Sequence, residues 1–374
     1  MRDVRYRQIH QRLRAAILDG RYQPGDKLPT EMELAASEGV SRTTSAAALT
    51  ELAREGLVVR VPRRGTIVNA PADRPLANGR PLADRRPLVA WIQPNLDPAY
   101  SLDVLRGIEH ATWQAGYNLM VRLTHASQAV EEQAIRDAVA AAAVGLMLFL
   151  QDGETYNGEV LRLVLDQYPL VLVDRYLPGL PCACVGSDNV GGAHTAVRRL
   201  IEAGHRHICL LVHPPKDTST ILDRHEGYAR ALASHGLPFD PSLVYVFAQE
   251  RDGPDMWSVS PGAIKRLAAY LRRKPQVTAV FATNALLAVL ALRAAAYLGR
   301  RVPDDLAVIA IDAVDAYPSR LPPIPYAAQP GYDIGTTAVE LLLEQLAGGQ
   351  PRRVMLPMRL QLVAPHVAGK EAAT

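Results

Sequence analysis

Two groups of side chains in this 374-residue sequence have the types and spacing to do chemistry. The first lies near the N-terminus. Ser41-Arg42-Thr43-Thr44-Ser45 sets one guanidinium among hydroxyls, and Arg63-Arg64-Gly65-Thr66 sets two guanidiniums at a turn. Such groups bind phosphate oxygens and the acceptor-rich edges of bases. The second group is spread along the rest of the chain. Asn95, Tyr100, Asn284, Asp312 and Gln329 each lie at or just beyond the end of a β-rich run. Amides, a carboxylate and a phenol gathered at strand ends can donate to and accept from a polyhydroxyl ligand. No GxxxxGK[ST], GxSxG or HExxH stretch occurs, and no nucleophile with a matching base stands out. An enzyme is therefore not expected, nor a cofactor or catalytic residue.

The elements that must position the first group are legible. Tyr6, Ile9, Leu13, Ala16 and Ile17 form one apolar helical stripe, stopped at Gly20. Pro24-Gly25-Asp26 is turn chemistry. Thr30 and Glu33 form a capping box for a short second helix that ends at Gly39. Ser41 is the N-cap of a third helix running from Arg42 to about Arg54. After Gly56 the runs Leu57–Val61 and Thr66–Val68 read as a hairpin with Arg63 and Arg64 at its tip. Two short helices joined by a tight turn and followed by a basic hairpin make a winged helix-turn-helix. Its third helix suits the major groove, and its wing suits phosphates or the minor groove.

Charge agrees with that reading. Residues 1–70 hold 12 Arg/Lys against 8 Asp/Glu, whereas the whole chain holds 41 against 38, so the remainder is close to neutral. A basic surplus at one end fits a nucleic-acid module on a neutral body. With 48% apolar and 21% charged residues the chain is globular. Its longest apolar run, Ala138–Leu150, is too short for a bilayer span, and Met1–Gly20 has no apolar core of a secretory signal. Cys182, Cys184 and Cys209 are too few for a disulfide scaffold and fit a reducing cytoplasm. Without a second ligand pair at zinc spacing, Cys182 and Cys184 are expected to be buried thiols and no metal is expected; His205, His207 and His213 are expected to be structural. Membrane, small secreted and fibrous classes are excluded.

The first 70 residues resemble the GntR family of bacterial transcription regulators. The resemblance rests on Tyr6…Gln8-Ile9, Pro24-Gly25-Asp26-Lys27-Leu28-Pro29-Thr30-Glu31, Glu33-Leu34-Ala35, Val40-Ser41-Arg42, Thr44, Glu55-Gly56-Leu57 and Arg64-Gly65-Thr66, without gaps. It implies DNA contacts from Tyr6, Thr30, Glu31, Ser41, Arg42, Thr43, Thr44, Ser45, Arg63, Arg64, Gly65 and Thr66. Three positions depart from the family: Met32 and Ala46 stand where arginines are usual, and Arg63 where the wing usually begins with Gly. The operator sequence cannot be carried over.

Residues 71–87, with four Pro and four Arg, read as a solvated linker. Beyond them strand-like runs alternate with helical patterns, which argues for parallel sheets and an α/β class. This stretch resembles the LacI-type effector domain, whose fold is that of periplasmic sugar-binding proteins. The matching residues include Val173-Asp174-Arg175, Gly186-Ser187-Asp188-Asn189, Arg224…Gly227-Tyr228, Thr283-Asn284, Val302-Pro303-Asp304-Asp305, Ile311-Asp312, Gln329-Pro330 and Ile334-Gly335. The resemblance implies a two-lobed, periplasmic-binding-protein-like body over 88–374. Lobe 1 is expected at about 88–189 and 313–328, and lobe 2 at about 190–312 and 329–365. It adds Arg224 as a ligand contact and Trp257 as a stacking face beside Asn95, Tyr100, Asn284, Asp312 and Gln329. Asp188-Asn189 is expected to order a crossover. Ala285, where the family has Asp, and Ala310-Ile311-Asp312, where it has Gly-Phe-Asp, make the cleft less polar.

The expected protein is a cytoplasmic homodimeric repressor that binds a near-palindromic double-stranded operator and answers to a carbohydrate-like effector. A transporter's solute-binding protein would need a signal peptide and no winged helix, and an enzyme would need the nucleophile or acid–base pair that is not found.

Overall fold

In the computed structural model, residues 2–54, 56–61, 65–69, 86–96, 100–151, 157–214, 218–247, 259–314 and 321–362 are described. The chain divides into two compact units, Met1–Arg86 and Pro87–Thr374.

The first unit contains α1 (Arg2–Leu18), α2 (Glu31–Glu38), α3 (Arg42–Arg54), β1 (Val58–Val61) and β2 (Gly65–Val68). The capping box at Thr30–Glu33 starts α2, and Gly39 ends it in the left-handed region, where a Cβ would be strained. Thr44 N–H donates to the Ser41 hydroxyl, so Ser41 opens α3. Ile9, Leu13 and Ile17 of α1 bury against Leu34, Ala48, Leu49 and Leu52, and β1 pairs antiparallel with β2, adding Leu57, Val58 and Val68 to the same core.

The second unit opens with β3 (Leu88–Gln93), α4 (Tyr100–Gln114), β4 (Asn118–Leu123), α5 (Gln128–Ala140), β5 (Gly145–Leu148), α6 (Gly158–Leu165), β6 (Leu170–Val173) and β7 (Ala183–Ser187). It continues through α7 (Asn189–Glu202), β8 (Ile208–Val212), α8 (Ser219–Ser234), β9 (Val244–Val246), α9 (Pro261–Arg273), β10 (Ala279–Ala282), α10 (Ala285–Tyr297), β11 (Ala307–Ile311) and β12 (Tyr326–Ala328). It closes with α11 (Gly331–Leu346), β13 (Arg353–Leu356) and β14 (Arg359–Gln361). The strands form two six-stranded sheets, ordered β13-β7-β6-β5-β3-β4 in lobe 1 and β14-β12-β11-β10-β8-β9 in lobe 2. All pairings are parallel except β12 with β14. Helices cover both faces of each sheet, so strands such as Leu170–Val173 and Ala279–Ala282 are buried along their whole length.

This order corrects the expected division of the lobes. Residues 321–328, ending in β12, belong to lobe 2, whereas α11 and β13 return to lobe 1, and only β14 goes back. The apolar stripe of α11 is buried against lobe 1, and a close approach to α4 places it there. Ile334, Ala338, Leu341 and Leu342 pack with Val171, Val173 and Val185 of lobe 1. The approach of α11 to α4 is backbone on backbone: a Cβ at Gly335 would collide with the Val104 carbonyl oxygen, and one at Gly107 with that of Tyr332. The connections through 188, 330 and 357 therefore form three crossings between the lobes.

Candidate nucleic-acid interface and effector cleft

In the first unit, Arg42 lies at the exposed start of α3, its side chain 71% accessible, and its Nε is 3.2 Å from Glu31 Oε2. Ser41, Thr43 and Thr44 surround it in a hydroxyl cluster, with Ser41 Oγ 2.8 Å from both threonine hydroxyls. Thr30 is exposed beside them, and Glu33, bonded to its N–H and hydroxyl, has its carboxyl held below the ordinary value by those bonds. Tyr6 is half-buried on α1.

Two expected contacts are corrected here. Ser45 is fully buried, donating to Glu31 O at 2.7 Å and Arg42 O at 3.0 Å, so it fastens α3 to α2 instead of facing DNA. Thr66 is buried too: its carbonyl accepts from Leu28 N–H at the base of the hairpin. Gly65 opens β2 with φ 101°, a turn geometry suited to glycine. Arg63 and Arg64 lie outside the described residues.

In the second unit, one hydrogen-bonded chain runs along the carboxyl ends of the strands. Arg224 of α8 is 9% exposed. Its Nε donates to Asn189 Oδ1 at 2.7 Å, its Nη1 to Thr283 O at 2.7 Å and its Nη2 to Gln329 Oε1 at 3.3 Å. Gln329 in turn donates from Nε2 to Asp312 Oδ2 at 2.6 Å and accepts from the Ser187 hydroxyl at 2.9 Å. From lobe 1, Tyr100 donates to Asp174 Oδ1 at 2.8 Å. Burial, then the charge of Asp174, pushes the Tyr100 phenol well up, and the charges of Asp312 and Arg224 also reach it. Tyr100, Asp174, Arg224, Asp312 and Gln329 thus face one space between the lobes, at the strand ends where open α/β sheets take ligands.

The other expected cleft residues fall differently. Asn284 accepts from Leu287 N–H at 2.9 Å as the N-cap of α10, which leaves its amide N–H₂ as the group it can offer a ligand. Asn95 is half-buried beyond β3 and, among the described residues, joins the network by no hydrogen bond. Trp257 lies outside the described residues. Asp188 caps α7 through Gly191 N–H, so it orders the crossover, and Asn189 orients Arg224. Asp174, Ser187 and Thr283 lie in stretches that carry the resemblance but are not among the ligand contacts expected from the sequence. Asp174 had a signal, an acid immediately after the buried run Leu170–Val173; Ser187 and Thr283 had none, since short polar residues at strand ends are common.

Glu131 is 2% exposed and accepts from Asn157 Nδ2 at 2.8 Å and Gln151 N–H at 3.0 Å. Burial pushes the three cysteine thiols up to about 12, and all three are free. Among the described residues no group of three or more His, Cys, Asp or Glu could hold a metal ion, and no helix is long and apolar enough to cross a membrane.

A winged helix on one unit and a polar cleft between two parallel-sheet lobes on the other define a DNA-binding regulator controlled by a small ligand. Residues 5–68 match the family described as bacterial regulatory proteins, gntR family, and residues 197–363 match the periplasmic binding protein-like domain. The chain is a ligand-responsive transcription regulator with a GntR-type head and a periplasmic-binding-protein-like body. It is 25% identical over 346 residues to the arabinose metabolism transcriptional repressor of Geobacillus stearothermophilus, covering 91% of both chains. It is 29% identical over 266 residues to the transcriptional repressor CytR of Escherichia coli strain K12, covering 71% of this chain and 74% of that one. The solved complex of the transcriptional regulator CelR with cellobiose has the same fold, with TM-score 0.64 at 24% identity, covering 90% of this chain and 99% of that one.

Proposed function

We propose that this chain is a cytoplasmic, homodimeric repressor that leaves its operator when a carbohydrate-like effector enters the cleft. The observation that carries the reading is the Arg224–Gln329–Asp312 chain facing the Tyr100–Asp174 pair across the lobes. An array of buried donors and acceptors, two carboxylates among them, suits a ligand rich in hydroxyls. The names of the arabinose repressor and the CelR–cellobiose complex support the class, not the particular sugar. Two copies would present two heads to a near-palindromic site, because one winged helix covers few base pairs. Within each head, Arg42, Thr43 and the Ser41 hydroxyl are the groups exposed at the start of α3 for base and phosphate contact, with Tyr6, Thr30, Glu31 and Thr44 beside them. Ligand and operator are coupled by ~1–3 kcal/mol, reciprocally: a sugar that weakens operator binding is itself bound more weakly on the operator.

The test uses the full chain. A duplex is selected from random sequence, and its affinity is measured against a panel headed by arabinose and cellobiose. Expected is a sugar that lowers operator affinity for the wild type and does nothing for Arg224→Ala. An Arg224→Ala protein that responds fully would move the effector elsewhere, and sedimentation of the wild type as a monomer at micromolar concentration would remove the dimer.

A further inference from the structure

The outer face of α3 carries a guanidinium that does not come from α3. Arg42, Ala46 and Thr50 lie at i, i+4 and i+8 and form one stripe, flanked by the buried Ser45 and Leu49. Arg60 reaches this stripe from β1. Its Nη2 donates to Ala46 O at 3.2 Å and Thr50 Oγ1 at 3.1 Å. Its Nη1 lies 3.4 Å from Glu31 Oε1, while Arg42 Nε lies 3.2 Å from Oε2 of the same carboxylate. One glutamate therefore spaces two guanidiniums, one from the helix and one from the wing strand.

The sequence explains why there is room. Position 46 carries only a methyl group, so no long side chain rises from the middle of the stripe, and the Ala46 carbonyl is shared by the Thr50 hydroxyl at 2.7 Å and Arg60. The Arg60 side chain is 43% accessible, so it is laid along the surface and not buried in the core. The Nη2 bonds and the Glu31 contact hold the planar fork at a fixed place, which a base edge requires and a phosphate does not.

We propose that Arg60 is a second base-reading arginine of this head, standing over Ala46 and supplying from the wing the cation that the recognition helix itself lacks there. It reads a base pair next to the one read by Arg42. Guanine, with its O6 and N7 acceptors, is the base that this guanidinium matches once its Nη2 hydrogens leave Ala46 O and Thr50 Oγ1 for the base edge. Glu31 is a positioning residue for both arginines. The assignment rests on the DNA-binding reading of this unit.

The experiment is selection of bound duplexes from a random pool by the full chain, in parallel for wild type, Arg60→Ala, Arg60→Lys and Arg42→Ala. The wild-type consensus duplex then serves as the affinity probe, beside a random-sequence duplex. Expected is a wild-type consensus with a guanine preference that disappears at one position in Arg60→Ala and at a different position in Arg42→Ala. Affinity for the consensus duplex falls roughly ten- to hundredfold in Arg60→Ala. Arg60→Lys keeps affinity for the random duplex and loses the preference, because a point charge replaces the fork. Base preference is a ratio among bound sequences, so it does not depend on how much of a variant is folded. An unchanged consensus with uniformly weaker binding would reduce Arg60 to a phosphate contact and overturn the proposal, as would unchanged binding. A wild-type chain that selects no consensus would instead remove the DNA-binding reading itself.

Discussion

Asp174 and Asp312 occupy the same place in the two lobes. Each follows the third strand of its sheet order, β6 in one and β11 in the other. Each has a left-handed backbone, with φ 70° and 65°. Each holds a partner on the cleft wall, Tyr100 for Asp174 and Gln329 for Asp312. Non-glycine residues visit this region at a cost of roughly 1–2 kcal/mol, and Asp is among those that tolerate it best. From this backbone each carboxylate meets its partner, Tyr100 or Gln329.

Replacing Asp312 separates strain from hydrogen bonding. Both Asp312→Ala and Asp312→Gly leave Gln329 Nε2 without its acceptor, at about 1–3 kcal/mol. Only alanine keeps the backbone strain. Thermal unfolding should show Asp312→Ala less stable than Asp312→Gly by about 1 kcal/mol. Equal melting temperatures would mean that the left-handed backbone is not costly here.

Glu131 gives a pH dependence with a definite sign. Burial raises its carboxyl above the ordinary value, and the Asn157 and Gln151 bonds offset part of that rise. The folded state then binds the proton more tightly than the unfolded chain does. Stability from this group is full below the ordinary glutamate value of about 4.3. It is lost as pH rises through the raised folded value. In Glu131→Gln that slope is absent. Urea unfolding of both proteins between pH 4 and 7 should give stability curves that diverge with pH; parallel curves would assign Glu131 an ordinary titration.

Gly335→Ala tests the contact between α4 and α11. The added methyl meets the Val104 carbonyl oxygen and the Ile108 N–H on a facing backbone that has no side chain to move aside. A loss of about 1–3 kcal/mol is expected, with the second unit melting earlier. A variant as stable as the wild type would mean that the helices sit further apart.

Tyr176 ties lobe 1 to α8 of lobe 2. Its hydroxyl donates to Asp223 Oδ1 at 2.9 Å, its N–H donates to Ser219 Oγ at 3.1 Å, and the Arg353 guanidinium stacks 3.3 Å from its ring centroid. Tyr176→Phe removes only the first of these. Amide hydrogen exchange at the start of α8 should quicken roughly three- to tenfold, in line with the net worth of one hydrogen bond. Unchanged exchange would leave the tie to the Ser219 bond and the stacked arginine.

The sequence by itself determined what is local. The Thr30–Glu33 capping box, the Ser41 cap and the stop at Gly39 involve residues within a few positions of each other, so the helices of the head could be read from their order alone. The buried strands were legible for the same reason, because a strand covered on both faces is a continuous apolar run. What only the tertiary structure decided depends on distant pairs. Ser45 has the composition of a DNA-facing hydroxyl, and the packing of α2 on α3 buries it. Asn284 has the composition of a ligand contact, and the first turn of α10 takes its acceptor. Arg60 reads as an ordinary exposed strand residue until the hairpin folds back over Ala46, 14 residues earlier. The return of α11 and β13 to lobe 1 is the clearest case. An apolar stripe states that a helix has a buried face, and it does not state which sheet receives it. Here the choice falls to Gly107 and Gly335, whose missing side chains let α4 and α11 come within backbone contact.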